Sequence, residues 1–150
     1  MRIREVENKE ELPKRLLLMA DPSEKAIRDY TKRGRCFVLE EDAKTKGVFV
    51  LLPTRPHTIE VVNIAIDAPY QGQGLGKYML TEAIKTAELE GYQTIEIGTG
   101  NSSLGQLALY QKCGFRITGI DIDFFNRYYS EEIYENGIRC CDMIRLSRDL

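Results

Sequence analysis

The sequence holds a single histidine, His57, and no two of its four cysteines, Cys36, Cys113, Cys140 and Cys141, stand in C-x-x-C spacing. Zinc sites draw most of their ligands from these two residue types, so no metal is expected. The cysteines read as free thiols, used as small apolar residues in a reducing compartment. A basic excess is also missing. With 21 Lys and Arg against 23 Asp and Glu, the net charge is −2, which speaks against a nucleic-acid surface. No apolar run approaches the roughly 20 residues that span a bilayer. No apolar stretch follows Met1-Arg2-Ile3-Arg4-Glu5, as a secretory signal would require. No repeat, low-complexity tract or linker divides the 150 residues. The expectation is one domain over residues 1–150, cytoplasmic, with neither nucleic acid nor membrane as partner.

The chain has enough apolar residues, 43%, to build a core. Met1–Val6 alternates as a half-buried strand does. Glu10–Met19 carries a helical stripe of Leu12, Leu16, Leu17 and Met19. Asp21-Pro22-Ser23-Glu24 reads as a second helix start, with Asp21 as cap, and Gly34 as its stop. Arg35–Glu41 and Lys46–Leu52 are short strands around the polar turn 41–45, and Pro53 and Pro56 break the pattern. A strand over 58–67, a helix over Leu75–Glu90 and a strand over Gln93–Ile97 follow. Next come a helix over Ser102–Cys113 and strands over Phe115–Asp123 and Ile138–Leu146. The order βααβββαβαββ combines hairpins with one βαβ crossover. The fold class is therefore α/β of mixed type, a mixed sheet flanked by helices.

Between the strand at 58–67 and its helix lies Gln71-Gly72-Gln73-Gly74-Leu75-Gly76-Lys77. A glycine-rich turn into a helix N-terminus points several backbone N–H groups at one place, where the helix dipole also favours an anion. A phosphate-bearing ligand suits it, unless the turn merely caps the helix. A Walker A loop fits poorly, because position 71 is Gln and position 78 is Tyr, so no hydroxyl can hold magnesium. A dinucleotide fingerprint is satisfied by Gly72 and Gly74 but has Lys77 where a small residue belongs, although Glu96 lies at the right distance to bind a ribose. The pattern Gln/Arg-x-x-Gly-x-Gly/Ala is filled completely by Gln71, Gly74 and Gly76.

That last pattern resembles the acyl-CoA pyrophosphate loop of the GNAT superfamily of N-acetyltransferases. The stretch Thr58–Ile66, with Glu60 near its start, is similar to the family's central strand. Asn101 through Leu109-Tyr110-Gln111-Lys112-Cys113-Gly114-Phe115 is similar to its second motif. The resemblance covers about residues 58–116 and implies a GNAT-like, mostly antiparallel sheet. It also implies acetyl-CoA as cosubstrate, held by Gln71, Gly72, Gln73, Gly74, Leu75, Gly76 and Lys77, by the backbone amides of Ile64 and Ile66 on a splayed strand, and by Asn101. Lys77 could equally be a solvated helix lysine, and Asn101 could cap the following helix.

Acetyl transfer to an amine requires a proton to leave an ammonium of pKa about 10.4, and a departing thiolate gains from a proton. Glu60, charged at the start of an apolar strand, is the candidate base, since partial burial would raise its pKa; a solvated or substrate-binding carboxylate is the plainer alternative. Tyr110 is the candidate acid, since a phenol of pKa about 10 is protonated at neutral pH; otherwise it is a packed aromatic. The aromatic and acidic segment Phe124–Gly137 suits a cationic amine, on a small molecule or a protein, and could also serve a homodimer interface. Two other functions remain open at this point: a module that binds CoA or a nucleotide without catalysis, and a dinucleotide oxidoreductase, which needs a parallel doubly wound sheet.

Overall fold

The computed structural model describes residues 1–150. The chain begins with β1 (Arg2–Glu5), α1 (Lys14–Ala20) and α2 (Glu24–Arg33), then β2 (Arg35–Glu41), β3 (Lys44–Arg55) and β4 (Thr58–Ile66). It continues through α3 (Leu75–Leu89), β5 (Thr94–Gly100), α4 (Leu104–Lys112) and β6 (Arg116–Asp121). It closes with α5 (Phe124–Tyr128), β7 (Tyr134–Glu135), β8 (Ile138–Arg139) and β9 (Met143–Asp149). Seven strands form one sheet in the order β1-β2-β3-β4-β5-β9-β6. Only β4 and β5, the pair joined through α3, run parallel. The expected mixed, mostly antiparallel sheet flanked by helices is thus present. A doubly wound parallel sheet is not, and the oxidoreductase reading falls with it.

Local chemistry explains where the elements depart from expectation. The stripe over 10–19 is interrupted by Pro13, so a 3-10 turn at Lys9–Glu11 precedes the shorter α1. Ser23, not Asp21, caps α2, its side chain accepting from the Ala26 amide. Pro53 does not end β3. The strand runs on to Arg55 with a slip in register between Pro53 and Arg55, which accommodates a residue with no N–H to donate. The largest departure lies in the last third. Ile138 and Arg139 belong not to the last sheet strand but to a small hairpin with Tyr134 and Glu135. Asn136 (φ 55°) and Gly137 (φ 73°) form its turn, the left-handed pair that a two-residue hairpin favours. The last strand, β9, begins at Met143.

The sheet is covered on both faces. On one, Phe49, Leu51, Ile59 and Ile95 pack against Met79, Leu80, Ala83 and Ala87 of α3, and Tyr110 of α4 joins them. On the other, Val48, Val50 and Leu52 meet Leu16 and Leu17 of α1 and Ile27 and Tyr30 of α2. A bulge in β4 decides which of its residues reach each face. Val50 pairs with Asn63 and Leu51 with Val61, so Val62 is an extra residue in the strand. Such a bulge inverts the alternation of side chains beyond it. Ile59 and Val61 face α3 before the bulge, and Ile64 and Ile66 do so after it. Asn63 and Ala65 turn instead toward α1 and α2.

Candidate active site

The parallel ladder between β4 and β5 has only four residue pairs, from Thr58–Thr94 to Val61–Ile97. Beyond them β4 continues to Ile66 and β5 to Gly100 without touching. The Asp67 amide donates to Lys46 O at 2.8 Å, across the β3 edge of β4. Backbone groups alternate edges along a strand, so the N–H groups of Ile64 and Ile66 point the other way, into the gap. The Ile66 carbonyl shares that edge and accepts from Gln71 Nε2 at 2.9 Å. The gap opens into a cavity of about 760 Å³. Its walls include Val61–Ile66 of β4, Ile97–Gly100 of β5, the turn at 70–77 except Gln73, and Leu109 and Tyr110 of α4.

The turn has the conformation its glycines predict. Gly72 (φ 77°) and Gly74 (φ 81°) are left-handed, and a Cβ on either would meet no atom within 4 Å. Glycine is needed there for backbone freedom, and the space above the turn is open to a ligand. Gly74 caps α3 with no side chain over its first amides. Lys77 lies in the first turn of α3, exposed and in no ion pair. Glycine loop, helix N-terminus and lysine make a cradle suited to a pyrophosphate.

Tyr110 is 3% exposed, yet it lines the cavity, and its hydroxyl has no hydrogen-bond partner in the protein. Burial pushes its phenol pKa up, so it is a proton donor at neutral pH. Glu60 is placed differently. It opens onto a second cavity of about 300 Å³, with Thr54, Arg55, Glu96 and Arg145; Ile97 lines both cavities. Burial raises the Glu60 pKa most, Arg145 opposes, Glu96 adds to the rise and Arg55 opposes again. Asn101 neither caps α4, which starts after Ser103, nor lines the cavity. Its side-chain oxygen accepts from the Cys141 and Asp142 amides at 2.8 and 3.0 Å, and its nitrogen donates to Arg139 O at 3.1 Å. It pins the chain between β8 and β9.

The segment Phe124–Gly137 reaches the cavity as well, together with residues that sequence reasoning did not single out for the site: Asp21, Asn63 and Cys140. From that segment Phe125, Tyr129 and Glu135 line the wall. Tyr30 and Tyr129 donate their hydroxyls to the Asp21 carboxylate at 3.0 and 2.7 Å. Burial, with the carboxylate beside them, pushes both phenols upward in pKa, so both stay protonated donors. For Asn63 the available signal was a polar residue inside an apolar strand.

A testable consequence attaches to Glu60. A carboxyl group whose pKa is raised by folding contributes its full stability below the unfolded value of about 4.3 and loses it as pH climbs through the folded value. Glu60→Gln should therefore melt at a higher temperature than wild type at about pH 8, with the gap closing near pH 4. Thermal melts across that range check it; a gap independent of pH would mean that ionised Glu60 is not strained by burial.

Known proteins share this fold. The sequence model of the Acetyltransferase (GNAT) family matches residues 3–115. A Bacillus subtilis protein named as the uncharacterized N-acetyltransferase YvbK is 55% identical over 135 residues, which cover 90% of this chain and 87% of that protein. The structure of an IAA acetyltransferase from Bacillus cereus is 53% identical, with a TM-score of 0.96 over 99% of both chains. A GNAT family acetyltransferase from Elizabethkingia anophelis, solved with acetyl-CoA bound, is 43% identical, with a TM-score of 0.97 over 99% of this chain and 97% of its own. Splayed parallel strands, open amides and a glycine cradle are what an acyl-CoA thioester and its pyrophosphate need, and the chain belongs to the GNAT acetyltransferase family, as an N-acetyltransferase that uses acetyl-CoA.

Proposed function

We propose that the protein transfers the acetyl group of acetyl-CoA to a primary amine, on a small molecule or a protein, by direct attack of the amine nitrogen on the thioester carbon. The observation that carries this reading is the open edge of β4, whose Ile64 and Ile66 amides face a cavity lined by Tyr110 and the glycine turn. When bound, acetyl-CoA supplies an activated acyl group whose sulfur is a good leaving group. The turn at 71–76 and Lys77 hold the pyrophosphate. The open amides of Ile64 and Ile66 run along the acyl arm and offer N–H donors to the negative charge that develops on the carbonyl oxygen. Nitrogen forms its bond to the acyl carbon as the carbon–sulfur bond breaks. The ammonium first gives a proton through water to Glu60; as the free amine then displaces the sulfur, Tyr110 gives its proton to the departing sulfur and regains one from the acylated nitrogen, and Glu60 returns its proton to solvent. The test of the whole reading is a panel of primary amines assayed for thiol release from acetyl-CoA; no release from any of them would defeat it.

Three variants separate the parts. Acetyl-CoA at about 100 times its dissociation constant should stabilise the wild type by roughly 2.7 kcal/mol. Gly74→Val, strained at φ 81°, should abolish the accompanying shift in melting temperature. A shift of wild-type size in this variant would place the cosubstrate elsewhere.

Tyr110→Phe keeps the buried ring and loses only the proton. It should lower kcat by about 10²–10⁴-fold with acetyl-CoA affinity unchanged. An unaltered kcat, with chemistry shown to limit the rate, would remove Tyr110 from the mechanism.

Glu60→Gln cannot accept a proton. Its kcat should be low near neutrality and approach wild type at high pH, where free amine is abundant. If instead only KM for the amine rises and kcat keeps its wild-type pH profile, Glu60 binds the acceptor and water alone carries the proton away.

A further inference from the structure

The large cavity holds charges of both signs. Its walls carry one cation, Lys77 in the first turn of α3, and two acidic residues, Asp21, which is bonded to Tyr129 after α5, and Glu135. Glu135 is engaged by the Ser103 hydroxyl at 2.8 Å. Asp21 has no cationic partner. Its carboxylate is held by three neutral donors: the Ser23 amide and the Tyr129 hydroxyl on Oδ1, and the Tyr30 hydroxyl on Oδ2. A carboxylate offers about four acceptor positions, so one remains, on Oδ2.

A second acceptor without a partner belongs to Asn63, which is linked to Asp21 through the Tyr30 hydroxyl. Asn63 is 4% exposed, and its Oδ1 is buried with no hydrogen-bond partner. The amide orientation is fixed, because Nδ2 donates to the Leu17 carbonyl at 3.0 Å, which can only accept, and to the Tyr30 hydroxyl at 2.8 Å. The same Tyr30 oxygen bonds Asp21 Oδ2, so a single phenol oxygen joins the two acceptor-bearing side chains. Leaving such an oxygen unpaired is costly, so it is an acceptor position open to a donor from outside the chain, water or ligand.

Resting on the amine-acetylation reading above, we propose that Asp21 and the Asn63 side-chain oxygen form the acceptor's recognition site, binding the ammonium or amine group of an acceptor that carries an aromatic or apolar body. The position suits the reaction. Asn63 and Ile64 are neighbours on β4 but face opposite sides of the sheet, so an acceptor held from the α1–α2 side meets an acyl group lying along the Ile64 and Ile66 amides through the gap. An ammonium has three donors and no acceptor, which matches an array of free acceptor positions. Phe125 and Tyr129 line the same cavity and give an organic cation aromatic surface. Tyr129, on the far side of Asp21 from Tyr30, joins the segment after α5 to the α1–α2 turn and fixes the carboxylate in place.

The experiment titrates the protein–CoA complex calorimetrically with phenethylammonium and, separately, with neutral 2-phenylethanol, in wild type and Asp21→Asn. Thiol release from acetyl-CoA with phenethylamine is measured in parallel. Wild type should bind the ammonium at least about 10-fold more tightly than the alcohol, as a charge-assisted hydrogen bond warrants. Asp21→Asn should erase that preference and raise KM for the amine by a similar factor, with CoA affinity unchanged. Should the variant fail to fold, the side-chain amide signals of Asn63 in isotope-labelled wild type decide, because the ammonium should move them and the alcohol should not. A wild type without preference for the ammonium, a preference that survives Asp21→Asn, or Asn63 signals that stay in place overturns the assignment. Ammonium binding lost in Asp21→Asn without thiol release from any amine would sink the transfer reading and leave the cation site standing. Thiol release with a KM indifferent to Asp21→Asn would do the reverse.

Discussion

Past Val61 and Ile97 the two central strands stop pairing, and each stays fastened to its other neighbour. β4 remains laddered to β3 as far as Ile66, and β5 remains laddered to β9 as far as Gly100. The sheet is therefore two smaller sheets joined by four residue pairs at one end. A strand edge that opens inside a protein leaves donors and acceptors that must find partners. Gln71 satisfies one of them, the Ile66 carbonyl. The others face the cavity, where a bound acyl-CoA can satisfy them. On the proposed reading the wedge supplies binding energy and a charge-stabilising site from the same unpaired backbone.

The bulge at Val62 gives the wedge two distinct sides. By inverting the alternation of β4, it sends Ile64 and Ile66 toward α3 and Asn63 toward α1 and α2. The α3 side carries the glycine turn, a helix N-terminus and Lys77, all favourable to an anion. The cavity also carries Asp21 and its ring of phenols. On the proposed reading, these opposite charges sort a polyanionic cosubstrate from a cationic acceptor, through the same electrostatics that steer association elsewhere. Tyr110 lies in the wall of the same cavity.

Much of this was legible in the chain. The stripe Met79, Leu80, Ala83, Ile84 and Ala87 announced α3, and Gly72 and Gly74 announced a left-handed turn, because helical period and positive φ are set by a few adjacent residues. Tyr110 could be placed beside the cavity by the motif it belongs to. The hairpin turn at Asn136-Gly137 is likewise a signal carried by two adjacent residues. Asn101 shows the limit of a motif. Its side chain is spent on the backbone of Cys141 and Asp142, 40 residues onward, which its local sequence does not reveal.

The sequence by itself determined the periodic elements, the glycine turn and the chemistry available at Glu60 and Tyr110, because each depends on side chains and backbone preferences within a few residues. Tertiary structure alone decided where the parallel ladder ends, since that is a contest between β3 and β9 for strands they reach from opposite sides. It alone placed Glu60 in a separate cavity, through strand parity relative to the bulge. It also brought Asp21 within 2.7 Å of the hydroxyl of Tyr129, 108 positions away, a contact that exists only because the α1–α2 turn and the segment after α5 converge over the open end of the sheet.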